Sequence, residues 1–88
     1  MRRVYKYHLE IISGPQSIEL SSDARFVHAR VGMDGESIFL WFEVDTEKEP
    51  THRRFEVFPT GYDVPGHLHH LVTVSTLDLQ LVWHVYEG

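Results

Sequence analysis

The chain has 88 residues, a net charge of −5 with histidine neutral, and no cysteine. One small domain of this length has neither a disulfide nor a thiolate metal site to staple it, so self-association is the expected source of further burial. The acidic balance, with basic pairs only at Arg2-Arg3 and Arg53-Arg54, excludes a general nucleic-acid binder, and no apolar run reaches the roughly 18 residues of a membrane-crossing helix.

Val4 to Ile12 alternates. Tyr5, Tyr7, Leu9 and Ile11 share one face, while Lys6, His8 and Glu10 share the other, the period of a half-buried strand. Ser13-Gly14-Pro15 breaks it. Gln16 to Leu20 is a short second strand with Ile18 and Leu20 facing in. Ser21-Ser22-Asp23 resembles a helix cap, but the hairpin signal at Asp34-Gly35 argues for strands on both sides. A two-residue turn there pairs Val31 with Ile38, Ala29 with Leu40, Val27 with Phe42 and Arg25 with Val44, an apolar face. The opposite face pairs Arg30 with Phe39, His28 with Trp41 and Phe26 with Glu43.

A charged loop follows from Asp45 to His52. Arg53 to Phe58 reads as a strand with Phe55 and Val57 on one side. Pro59 to Gly66 carries two prolines and two glycines, so it is irregular, and long loops in small domains often carry function. His69 to Ser75 is the next strand. A turn near Thr76-Leu77-Asp78 leads to the last one, Leu79 to Tyr86, where Leu79, Leu81, Trp83 and Val85 point inward. Val82, His84 and Tyr86 on its other face also want partial cover. A strand two residues from the end of the sequence is expected to be paired on both edges rather than left fraying. The fold expected is all-β: a small barrel or sandwich of six or seven mainly antiparallel strands in a single domain.

Four stretches occur in a telling order: Val4-Tyr5-Lys6-Tyr7, then Phe39-Leu40-Trp41-Phe42-Glu43-Val44-Asp45, then Arg54-Phe55-Glu56-Val57-Phe58-Pro59-Thr60-Gly61-Tyr62, and finally Leu81-Val82-Trp83-His84-Val85-Tyr86-Glu87. Together they resemble a family of small, uncharacterised, β-rich bacteriophage and prophage proteins, over nearly the whole chain. The resemblance implies a phage-accessory setting, hence the cytoplasm of a host cell, and brings no activity with it.

Three groups of residues invite a chemical reading. His67 and His69, six and eight residues after Gly61, match the first part of a cupin metal motif; neutral imidazoles on one side of a strand bind zinc, iron or nickel. The carboxylate that such a motif requires is missing from His70 to Ser75, so a metal-dependent β-barrel enzyme is the alternative reading and the expectation is no metal or other cofactor. The second group is His28, Arg30, Phe39 and Trp41, which form either a second core layer, a subunit interface or a surface for a partner. The third is the long loop, where Tyr62, Asp63 and His67 lie. Asp63 and His67 suit a base and its orienting group, but no nucleophile elbow, cysteine nucleophile or ordered triad accompanies them, and Glu47 and Glu49 read as solvated. The function expected is therefore non-catalytic: an accessory protein that binds or sequesters a host protein or small molecule, as a homo-oligomer, through His28, Arg30, Phe39, Trp41, Tyr62, Asp63 and His67. A structural virion or assembly component is a further alternative.

Overall fold

The computed structural model describes residues 1–76, 78 and 80–88. Seven strands run in order: β1 (Arg2–Glu10), β2 (Gln16–Leu20), β3 (Arg25–Val31), β4 (Ser37–Asp45), β5 (Thr51–Pro59), β6 (His69–Ser75) and β7 (Val82–Glu87). One sheet has the order β1-β4-β3 and the other β2-β5-β7-β6, all pairs antiparallel. The two sheets stack as a sandwich, not a closed barrel, with β3 lying beside β6.

Strict alternation in β4 explains the architecture. Ile38, Leu40, Phe42 and Val44 are all buried, while their neighbours Phe39, Trp41 and Glu43 are only half-covered. Leu9, Ile18, Leu20, Ala24, Phe55, Val57, Val74 and Val85 supply the rest of the core. Phe42 is its hub. The Phe55 ring meets it from the opposite sheet at 5.9 Å, with Tyr7 edge-on at 6.0 Å and Phe26 at 5.7 Å.

The hairpin keeps the expected register from Val31–Ile38 through Arg30–Phe39, Ala29–Leu40 and His28–Trp41. Beyond His28 it departs. A bulge at Val27 sets Phe26 opposite Phe42 and Arg25 opposite Glu43. Phe26 therefore packs on the core and Val27 is 51% exposed, the reverse of the expected faces. An extra residue in an edge strand is tolerated because it costs pairing on one side only, and here it buries the larger apolar side chain. The turn also differs. Gly35 N–H donates to the Gly32 carbonyl at 3.0 Å, which centres the turn on Met33-Asp34 and leaves Gly35 at φ 71°. Gly32 N–H still donates to the Ser37 carbonyl at 2.8 Å, so the register is unaffected.

The closing strand sits between β5 and β6, paired on both edges as expected. It starts at Val82 rather than Leu79, and Leu81 is exposed instead of facing in. The expected inward position of Leu79 and the turn at Leu77 lie outside the described residues. A second bulge, between His70 and Val72, places Val72 opposite Val85 on the core side.

Candidate functional site

The outer face of the three-stranded sheet gathers the first group of expected site residues. His28 lies 5.5 Å from the Trp41 ring, and Trp41 lies 6.4 Å from Phe39. Arg30 is opposite Phe39 in the ladder, yet the cation over that ring is Lys6, with Nζ 4.8 Å from the centroid. His8 flanks the same ring at 5.7 Å. His28, Arg30, Lys6 and His8 are exposed, so this face points out of the sandwich and is not a second core layer within the chain. Lys6 and His8 enter it only because β1 pairs with β4, a long-range choice that hairpin reasoning does not reach.

Tyr62 and Asp63 go elsewhere. Gly61 adopts φ 92°, and Tyr62 N–H donates to the Pro59 carbonyl at 3.4 Å, turning the chain sharply off the end of β5. Both residues then line a cleft of about 340 Å³ together with Ile11, Ile12, Phe58 and Trp83. The cleft lies between the loop that ends β5 and the Ser13-Gly14 turn after β1. Its volume is in the range of small-molecule sites, and its walls are mostly apolar. Among the described residues, the buried Trp83 indole N–H has no hydrogen-bond partner. An unmatched buried donor is uncommon and costs about 1–3 kcal/mol. Trp83 is the site residue that the sequence did not single out. Its alternation with Val85 marked it as core, and only the tertiary arrangement makes it a cleft wall.

His67 lies in the turn before β6, not on a strand, so the same-side geometry expected for His67 and His69 does not arise. His69 begins β6 opposite Glu87. Among the described residues, no group of three or more histidine, cysteine, aspartate or glutamate side chains converges at metal-binding distance.

Two other histidines do meet, on the outer face of the four-stranded sheet. Thr73 Oγ1 lies 2.9 Å from His70 Nε2 and 2.9 Å from His84 Nδ1, and His84 Nε2 lies 2.9 Å from Thr60 Oγ1. A neutral imidazole donates from one nitrogen only, so a neutral His84 donates to one of the two threonine hydroxyls and accepts from the other. Tyr86 packs against His70 at 5.3 Å and Phe58 at 5.6 Å.

The strongest charges serve the frame. Arg2 Nε donates to Glu43 at 2.6 Å and Lys48 Nζ to Asp23 at 2.8 Å. The hydrogen bond from Lys48 holds the Asp23 carboxyl down at a pKa of about 2, and those from Arg2 and Arg25 lower Glu43. Buried Ser21 accepts from Asp45 N–H at 3.4 Å, tying the turn before β3 to the end of β4.

An antiparallel two-sheet sandwich, with an apolar cleft and aromatic outer faces, is the class of protein that these features define. The family model described as Domain of unknown function (DUF7352) matches residues 1–88, and the chain belongs to that family. No curated protein matches the chain, and no solved structure does. Among the described residues, no helix is long and apolar enough to cross a membrane.

Proposed function

We propose that this protein is a non-catalytic binding module that captures a small, largely apolar ligand bearing a hydrogen-bond acceptor. The observation that carries the reading is the mostly apolar cleft walled by Ile11, Phe58, Tyr62 and Trp83. A ligand carbonyl or ether oxygen accepts from the Trp83 indole N–H once a small ring shift exposes that buried donor to the cleft. Tyr62, 70% exposed in the free protein, folds over the ligand, and Asp63 selects against anions at the rim. Sequestration requires no nucleophile or general base. In the phage-accessory setting that the closing Val82–Glu87 run resembles, the ligand is a host-derived small molecule met in the host cytoplasm.

A second reading rests on a different observation, the outward-facing Phe39–Trp41 pair rimmed by Lys6, His28 and Arg30. Such a surface suits capture of a host protein.

The test is native mass spectrometry of untagged protein taken gently from host-cell lysate. Small-molecule capture predicts an added mass of a few hundred daltons per chain. That mass is lost in Trp83→Phe and in Tyr62→Ala, while both variants keep their circular dichroism. Wild-type protein with no added small molecule, or full ligand retention in Trp83→Phe, overturns the reading. A co-purifying protein lost on Trp41→Ala supports the second one.

A further inference from the structure

A two-sheet sandwich has four sheet edges, and three of them here are guarded. β2 is five residues long and follows Pro15. β3 is broken by the bulge at Val27, and β6 by the bulge between His70 and Val72. Short strands, prolines, bulges and edge charges are the usual means of preventing strand addition. Of these β1 has only the charges, on Arg2, Arg3, Lys6 and Glu10. It runs nine residues in unbroken register with β4, and among the described residues no strand pairs with its other side.

The direction of its free backbone groups follows from two hydrogen bonds. Ile11 N–H donates to the Glu36 carbonyl at 3.1 Å, and the Met1 carbonyl accepts from Thr46 N–H at 2.9 Å, so odd residues face β4. In an antiparallel strand the N–H and C=O of one residue point the same way and alternate along the chain. The even residues, Arg2, Val4, Lys6, His8 and Glu10, therefore face outward. At Glu10 the Gln16 side chain already plays the part of a neighbouring strand. Its Oε1 accepts from Glu10 N–H at 2.8 Å and its Nε2 donates to the Glu10 carbonyl at 2.7 Å. The open ladder thus spans Arg2 to His8 and is closed at one end.

We infer that this edge is a dimer interface, and that its occupant is β1 of a second copy, antiparallel, with Tyr5 opposite Tyr5. Antiparallel partners share a face, so a twofold self-pairing must centre on a residue. Centring on Lys6 sets two ammonium groups opposite each other, which is unfavourable. Centring on Tyr7 drives Glu10 into the ladder, where Gln16 stands. Centring on Tyr5 pairs Val4 with Lys6 and Arg2 with His8, uses every open group and stops short of Glu10. It also covers two large exposed side chains, Val4 at 51% and Tyr5 at 43%. Tyr5 and Tyr7 line a hollow of about 240 Å³ beside Glu19 and Leu20, where the two sheets part, and the second copy caps it. The result is a continuous six-stranded sheet that joins two Phe39–Trp41 faces. The inference is independent of the ligand cleft.

Cysteine placement reads the register. Tyr5 faces Tyr5 as a non-hydrogen-bonded pair, the close pair of an antiparallel ladder and within disulfide reach. Sedimentation of the wild-type chain is expected to give a dimer, and mild oxidation of Tyr5→Cys a covalent one, faster than Val4→Cys. Val4→Pro removes an outward N–H that β4 does not use, so it is expected to raise the dimer dissociation constant about 30-fold or more without loss of strand content. A wild-type monomer, alone or with another protein on this edge, overturns the inference. So does a dimer unaffected by Val4→Pro, or cross-linking that favours Val4→Cys.

Discussion

Arg53 grips Glu87 with two nitrogens, Nε at 2.5 Å and Nη2 at 2.8 Å, and the two side chains are only 18% and 22% exposed. The same guanidinium donates through Nη1 to the Ala24 carbonyl at 2.9 Å and lies 5.4 Å from the Phe42 centroid. One side chain thus joins β5, the end of β7, the turn before β3 and the hub of the opposite sheet. The fork geometry suits arginine alone, and the carboxylate raises the guanidinium pKa further above its ordinary value.

Arg53→Met is therefore expected to destabilise the fold by about 2–3 kcal/mol, because Glu87 and the Ala24 carbonyl lose their donor in a half-dry site. Arg53→Lys recovers less than half, since it cannot reproduce the fork. Urea denaturation of Arg53→Met, Glu87→Gln and the double variant measures the coupling. Additive single effects would show that the pair is not a unit.

Neighbours on β4 should behave oppositely. Phe42→Ala empties the centre of the core and is expected to cost about 3–5 kcal/mol. Trp41→Ala with Arg30→Ala touches only the outer face and should cost below about 1.5 kcal/mol, with strand content kept. Equal losses in the two variants, read by the same denaturation curves, would mean that the outer face carries the fold.

Acid should loosen the end of the sandwich where β1, β4 and the turn before β3 meet. Asp23 titrates at about 2 in the folded chain against an ordinary value of 3.8, because Lys48 and Arg2 favour its charged form. A depressed folded pKa contributes stability above the unfolded value, and that stability disappears as pH falls from about 4 towards 2. Glu43 acts with the same sign. Lys48→Met is expected to bring the acid unfolding midpoint of the chain to higher pH. Direct titration by NMR should show the Asp23 carboxyl rising towards 3.8 in that variant.

Trp83→Phe isolates the orphan donor. Removing the indole N–H relieves a donor that is unmet among the described residues and loses part of a ring, two effects of similar size and opposite sign. The ligand-free variant is expected to stay within about 1 kcal/mol of the parent in thermal denaturation. A much larger loss would assign Trp83 to packing rather than to the cleft.

Local alternation determined most of the architecture. Period-two runs at Tyr5–Leu9, Ile38–Val44 and Phe55–Val57 name the strands and their inward faces, because a side chain's face follows directly from backbone pleating. Asp34-Gly35 placed the hairpin register even though the turn centres one residue earlier. The departures share one cause. Val27, Leu81 and the pairing of β1 with β4 depend on competition among distant segments for the same buried space, which no window of sequence contains. Phe26 displaces Val27 because Phe42 offers it an edge-on contact. Trp83 becomes a cleft wall because the turns after β1 and β5 converge on it, and His70 meets His84 because β6 and β7 pair. The residue types of this protein were legible in its sequence, but which of them stand together was decided only when the two sheets closed over Phe42.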